Sequence, residues 1–184
     1  MRVITGSAKG RRLITPKDNR IRPTSDRIKE ALFSMIGGKV VNSYFLDGFA
    51  GTGNIGIEAL SRGARKCYFV ENHRESLSII KENLTNTKLL DRSELVYKNF
   101  TNGIKQISSF HEKIDIIFLD PPYIKGFIQP ALLAIVESYV LNTSGIIIIE
   151  HSKKDIIEEQ DGLICYRQQK YGNTVLSFYE QEEI

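Results

Sequence analysis

Residues 120–123 read Asp120-Pro121-Pro122-Tyr123, directly after an apolar run, Ile114 to Leu119, that has the look of a buried strand. The two prolines fix the local backbone and cannot continue a strand. They hold the Asp120 carboxylate and the Pro121 carbonyl in one stiff frame, as two acceptors aimed at one point. An aromatic amine has two N–H donors and a lone pair delocalised into its ring. Acceptors that take both hydrogens draw the nitrogen toward tetrahedral geometry and free the lone pair for attack. Tyr123 supplies a face on which an extruded base can stack, an interaction worth about 1–3 kcal/mol per base. This four-residue arrangement suits group transfer to an exocyclic amine of a nucleobase.

A second constellation precedes it. Tyr44-Phe45-Leu46-Asp47 is a short apolar run ending in an acid, followed by Gly48-Phe49-Ala50-Gly51-Thr52-Gly53-Asn54-Ile55-Gly56. Glycines allow a sharp turn and close approach of backbone to a ligand, and a helix start offers unpaired N–H groups. Gly51 to Gly56 also satisfies G-x-G-x-x-G, and Glu71 lies 20 residues beyond Gly51, so a dinucleotide reading is open on this motif alone. Asp47 weighs against it, because an acid at the strand end repels a pyrophosphate. It suits a ligand with an ammonium or sulfonium, as in S-adenosylmethionine. In either reading Glu71 closes the second strand, where a carboxylate accepts the ribose hydroxyl hydrogens.

These residues need a sheet to position them. From residue 43 the chain alternates strand and helix. Strands are expected at 44–47, 66–71, 94–97, 114–119 and 146–149, and helices begin near Ile55, run through Leu77, Ile80 and Leu84, include Ile104 and Ile107, and span Pro130 to Val140. This pattern predicts an α/β fold with a mostly parallel sheet covered on both faces. Leu163–Tyr171 and Thr174–Tyr179 pivot on Gly172-Asn173 as a closing antiparallel hairpin. Ligands in such sheets bind beyond the carboxyl ends of the strands, where Asp47, Glu71 and Asp120 stand.

Ahead of this body, residues 1–38 read as a basic extension to a catalytic domain spanning 39–184. Arg2-Val3-Ile4 and Arg12-Leu13-Ile14 flank turn residues as a small β-hairpin, and Ile28, Ala31, Leu32, Met35 and Ile36 form a helical stripe that Gly37-Gly38 ends. Residues 1–30 hold nine Lys and Arg against three acids, whereas the remainder holds more acids than bases. Lys9, Arg11, Arg12, Arg20 and Arg22 are therefore candidate contacts to an RNA phosphate backbone.

Hydrophobic content of 41% and the absence of a 20-residue apolar run or a leader-like start point to a cytoplasmic protein without a membrane partner. Cys67 and Cys165, both within apolar runs, read as buried reduced thiols. His73, His111 and His151 show no metal-ligand spacing, so no metal is expected. His151, just past the fifth strand, is a candidate to line the pocket.

Asp120-Pro121-Pro122-Tyr123 is similar to the catalytic motif of methyltransferases acting on adenine N6 or guanine N2, and Asp47 to Gly53 to their cofactor motif. Arg2-Val3-Ile4-Thr5-Gly6, Lys9-Gly10-Arg11-Arg12-Leu13, Arg22-Pro23-Thr24-Ser25-Asp26-Arg27, Lys29-Glu30-Ala31-Leu32-Phe33 and Gly56 to Ala64 resemble more closely one family. That family is the bacterial small-subunit ribosomal RNA guanine-N2 methyltransferases of the RsmD type. The resemblance spans nearly the whole chain. It implies a Rossmann-like class I methyltransferase with a seven-stranded sheet, S-adenosylmethionine as cofactor, S-adenosylhomocysteine as product, and 16S ribosomal RNA, free or within an assembling small subunit, as partner. It implies that residues 120–123 form the catalytic loop. It also implies that Asp47, Gly48, Ala50, Gly51, Gly53 and Glu71 line the cofactor. After the third strand the family pattern offers an acid toward adenine, where this chain has Asn99-Phe100; Asn99 can still accept from the adenine amine and Phe100 can pack on the ring. The Arg22–Arg27 segment is implied near the methionine end or the RNA entrance. The readings that compete with guanine-N2 transfer are an N6-adenine methyltransferase, a nicotinamide-dependent oxidoreductase using the glycine loop, and a non-catalytic RNA-binding module.

Overall fold

The computed structural model of the chain describes residues 1–16, 25–122 and 126–182. Helix α1 (Asp26–Ile36) starts where Ser25 Oγ accepts the Ile28 N–H at 3.3 Å, and stops at Gly37, whose φ of 53° suits glycine. Its buried residues are Ile28, Lys29, Leu32, Phe33 and Ile36, while Ala31 and Met35 are only partly covered. The inward face is thus rotated from the expected stripe toward Lys29 and Phe33.

Among the described residues eleven strands and α-helices follow: β1 (Tyr44–Asp47), α2 (Asn54–Ser61), β2 (Lys66–Glu71), α3 (Arg74–Thr87), β3 (Ser93–Tyr97), α4 (Phe100–Ser108), β4 (Ile114–Leu119), α5 (Ile128–Ser138), β5 (Leu141–Ser152), β6 (Leu163–Tyr171) and β7 (Thr174–Gln181). They build one seven-stranded sheet in the order β3-β2-β1-β4-β5-β7-β6. The first five are mutually parallel, and β7 runs antiparallel between β5 and β6. Strand order reverses between β1 and β4, the switch point beside which open α/β sheets take ligands. Asp47 pairs with Phe118 and Leu119 with Ile149, so β1 and β4 end at a common edge, past which β5 runs on to Ser152.

Successive strand residues point to opposite faces, and both faces are apolar. Phe45, Cys67, Phe69, Phe118 and Ile148 pack with α1, α2 and α3, while Leu46, Tyr68, Val70, Leu119 and Ile149 pack with α4 and α5. Fully burying such a side chain contributes roughly 1.5–3 kcal/mol, which makes the sheet a stiff platform for the loops at its edge.

β5 is three times the length expected from Ile146–Ile149: it begins at Leu141, which pairs with Ile114 of β4, and β7 pairs with it as far as Ser152 opposite Thr174. Helix α5 begins two residues before Pro130, which sits in the first turn where its missing N–H costs nothing. Cys67 is buried, but Cys165 is exposed, against expectation. The reason is that β6 is the sheet's edge strand, and 164–170 all remain exposed along it.

The N-terminal hairpin closes on a single bridge, Arg2 to Arg12, instead of two strands. Other N–H groups of the arm are spent on the body. Ile4 and Thr5 donate to the two oxygens of Glu58 at 2.8 and 3.0 Å, Ala8 to Ser61 Oγ at 2.9 Å, and Ile14 to Asn83 Oδ1 at 2.7 Å. Val3, Ala8 and Leu13 join the core that includes α1 and Leu60. Among the described residues, no helix is long and apolar enough to cross a membrane.

Candidate active site

The loop after β1 is built around two carboxylates. Asp47 is 2% exposed and its Oδ2 accepts the Gly56 N–H at 2.9 Å, tying the strand end to the first turns of α2. Burial pushes its carboxyl up to about 7; the Gly56 N–H acts against this, and the nearby Glu71 charge adds to it. Glu71, also buried, accepts from Gly51 N at 2.9 Å through Oε2 and from His73 N at 2.8 Å through Oε1. An ionised carboxylate has about four acceptor sites, so each oxygen retains capacity for a ligand hydroxyl. Gly51 and Gly53 have φ of 55° and 77°, which a side chain would strain. A β-carbon on Gly48 would lie 2.6 Å from both Leu119 Cδ2 and Phe100 Cε2, so the chain passes there only as glycine.

A cavity of about 310 Å³ opens beside this loop, bordered by Gly48, Glu71, Lys98, Asn99, Phe100 and Phe127 among others. Its volume is at the lower end of ordinary small-molecule sites. Phe100 stacks on Phe49 with ring centres 5.4 Å apart, and Phe49 meets Phe127 edge-on at 6.3 Å. Asn99 is exposed and caps α4, its Oδ1 accepting the Asn102 N–H at 2.9 Å. Of the residues expected around a cofactor, Gly48, Glu71, Asn99 and Phe100 border the cavity directly. Asp47, Ala50, Gly51 and Gly53 stand behind it and shape the loop. Ala50, for example, donates to the Val70 carbonyl at 3.0 Å.

Asp120, half-buried, follows β4 at the same edge; Pro121 is buried and Pro122 exposed. Tyr123 lies outside the described residues, as do Arg20 and Arg22. Pro121 and Pro122 border a second cavity of about 300 Å³, together with Phe127, Glu150, His151 and Asp155. Gly126 and Phe127 are common to both cavities and form the wall between them. His151 does line this pocket. Its Nδ1 lies 2.9 Å from the Ser152 carbonyl and its Nε2 lies 2.7 Å from Ser177 Oγ, which also accepts from Gln168 Nε2 at 3.0 Å. A carbonyl neighbour requires the proton on Nδ1, so Nε2 accepts from the Ser177 hydroxyl. Burial lowers the imidazole pKa and favours this neutral form.

Lys9, Arg11 and Arg12 are exposed on the hairpin. Lys29, counted with the basic extension in the sequence, is fully buried. Its Nζ donates to the Arg2 carbonyl at 2.7 Å and to Asn54 Oδ1 at 2.8 Å, and lies 3.3 Å from Glu58 Oε2. Desolvation lowers its pKa, against the pull of Glu58. Three residues of evident consequence were therefore missed in the sequence: Lys29, Glu58 and Glu150. Among the described residues no group of three or more His, Cys, Asp or Glu could hold a metal.

The family model described as Conserved hypothetical protein 95 matches residues 1–180. The chain is 35% identical to "Putative rRNA methyltransferase YlbH" of Bacillus subtilis (strain 168), over 98% of this chain and 99% of that protein. It is 33% identical to "Ribosomal RNA small subunit methyltransferase D" of Haemophilus influenzae, over 91% and 92%. Among solved structures, "Putative methyltransferase yhhF from Escherichia coli" superposes with a TM-score of 0.85 at 25% identity, covering 99% of this chain and 98% of that one.

Proposed function

The chain belongs to the Conserved hypothetical protein 95 family, and on that premise we propose that it is an S-adenosylmethionine-dependent methyltransferase acting on the exocyclic N2 of a guanine in 16S ribosomal RNA. The observation that carries this reading is the placement of Asp120-Pro121-Pro122 at the end of β4. It lies at the edge of a sheet whose neighbouring strand ends, Asp47-Gly48 and Glu71, form a built loop and cavity. The family match and the named relatives favour neither the adenine-N6 nor the nicotinamide reading.

The donor and acceptor set of the first cavity fits an adenosyl group. Glu71 offers unfilled acceptor sites for ribose hydroxyls, Phe100 an apolar face for the adenine ring, and Asn99 a polar group at the rim. When bound, S-adenosylmethionine supplies an electrophilic methyl group. The chain's own part is to hold the acceptor nitrogen in line with it. Asp120 and the Pro121 carbonyl take the two amine hydrogens, and Tyr123 stacks on the base. Asp120 need not be a strong base, since the nitrogen becomes acidic only once it carries the extra carbon; the proton then passes to the Asp120 carboxylate. Positioning and fixed dipoles supply most of the rate. In this reading residues 1–38 serve the RNA and 39–184 the chemistry, in a cytoplasmic protein that uses no metal and meets its RNA free or within an assembling small subunit.

The test is nucleoside mass spectrometry of small-subunit RNA from a strain lacking the gene. Loss of one N2-methylguanosine, restored by the intact gene and not by an Asp120→Ala copy, is expected. An unchanged nucleoside profile would rule the proposal out.

A further inference from the structure

The second cavity is bordered by a carboxylate that the mechanism above leaves unused. Leu119 and Ile149 are paired across β4 and β5, so Asp120, just past the end of β4, lies beside Glu150, which is still within β5 and pairs with Leu176 of β7; the two strands are about 4.8 Å apart. Phe118 and Ile148 belong to one core face and Leu119 and Ile149 to the other. Alternation puts Glu150, like Ile148, on the face of the sheet covered by α1, α2 and α3, with Asp120 following Leu119 beside it. Glu150 is only 4% exposed, yet it borders the cavity shared with Pro121 and Pro122. The next residue, His151, is fixed through both ring nitrogens, which holds the strand end stiff.

We propose that this cavity is the guanine pocket and that Glu150 is the specificity-determining residue, accepting the N1–H of the target base while Asp120 and Pro121 hold its N2 amine. The proposal rests on the methyltransferase reading above. The chemistry is that of the Watson–Crick edge, where a flipped base is read. Guanine presents N1–H beside its N2 amine, two neighbouring donor groups. Adenine presents an N1 lone pair beside its N6 amine. An ionised carboxylate only accepts, so it pairs with the first edge and repels the second. The cavity, about 300 Å³, is of the scale of one base. A site built to meet a hydrogen-bond donor rejects an analogue lacking it far more strongly than a merely apolar pocket does.

The experiment compares two synthetic fragments of the small-subunit RNA, carrying guanosine or 2-aminopurine riboside at the methylated position. The analogue keeps the N2 amine, replaces N1–H by a lone pair and lacks O6, so the loss of preference in the Glu150 variant, and not the wild-type preference alone, isolates the N1–H contact. The intact enzyme is expected to prefer guanosine by at least about 100-fold in kcat/KM. Glu150→Leu, which is of similar size and offers no acceptor, is expected to cut guanosine turnover by about 100-fold and bring the two substrates within about tenfold. S-adenosylmethionine affinity, read by calorimetry, should stay within about threefold and serves with a thermal melt as the check of folding; Glu150→Asp, which keeps the charge, should retain the preference. A Glu150→Leu enzyme that keeps the guanosine preference, whether at full or at uniformly reduced rate, overturns the assignment alone. A wild-type enzyme that methylates no guanine overturns the methyltransferase reading and this proposal with it.

Discussion

The Lys29 ammonium lies 3.3 Å from the Glu58 carboxylate with both side chains wholly shielded from solvent. The same carboxylate receives the N–H groups of Ile4 and Thr5 and the Arg62 guanidinium at 2.8 Å. One acid on α2 thus fastens α1 and the N-terminal arm to the body. Removing one member of a buried pair strands the other and costs about 3–5 kcal/mol. We predict a loss of that size for Glu58→Ala in denaturant melts. A loss below about 1 kcal/mol would mean that the arm is not held by this residue.

Asp47 sets a pH dependence. Burial holds its carboxyl at about 7 in the folded protein, against an ordinary value of 3.8. Between these values the folded state keeps a proton that the unfolded state has lost. Its contribution to stability is therefore fully present below pH ~4 and is lost as the pH rises through about 7. Asp47→Asn, which still accepts the Gly56 N–H, should gain in melting temperature relative to wild type as the pH is raised from 4 to 8 without ligand. Parallel curves for the two proteins would contradict this.

For Asp120 the expectation is a split between binding and chemistry. Asp120→Ala should lower methyl transfer by at least about a thousandfold, in line with loss of a group that acts on the transition state. S-adenosylmethionine binding should change little, because the first cavity is bordered by Gly48, Glu71 and Phe100 and not by Asp120. Methyl-transfer assays and calorimetry on the same preparation decide it; a variant that keeps a tenth of the activity would remove Asp120 from the mechanism.

The exposed Lys9, Arg11 and Arg12 should each neutralise about one phosphate. Replacing all three by Ala is expected to lower the slope of log affinity against log salt by about 2–3. An unchanged slope in RNA-binding titrations places the interface elsewhere on the surface.

Much of this site could be read from local sequence. The runs Lys66–Glu71 and Ile114–Leu119 match their strands residue for residue, since apolar blocks bounded by turns leave little freedom, and Leu163–Tyr171 does so because the Gly172-Asn173 turn fixes where its hairpin folds back. The acids ending β1 and β2, and Asp120 just past β4, stood out for the same reason. Glu150 ends an apolar run in the same way and was legible by the rule that found the others. The Lys29–Glu58 contact was not legible, because it joins residues 29 positions apart through tertiary packing. Lys29, Leu32, Phe33 and Ile36 do fall at i, i+3, i+4 and i+7, so the helix face itself signalled a buried lysine. The exposure of Cys165 depends on β6 being an edge, which strand order decides and local pattern does not.

The arm's attachments have a consequence for how the molecule is made. Its hydrogen bonds to Glu58, Ser61 and Asn83 span 53 to 69 positions of chain. Residues 1–14 are synthesised before their acceptors, which do not exist until α2 and α3 have emerged from the ribosome. Contacts that distant close late and slow a folding reaction. Docking of the arm is therefore expected to finish after the β1–α2–β2 unit has formed, as a late step in biogenesis.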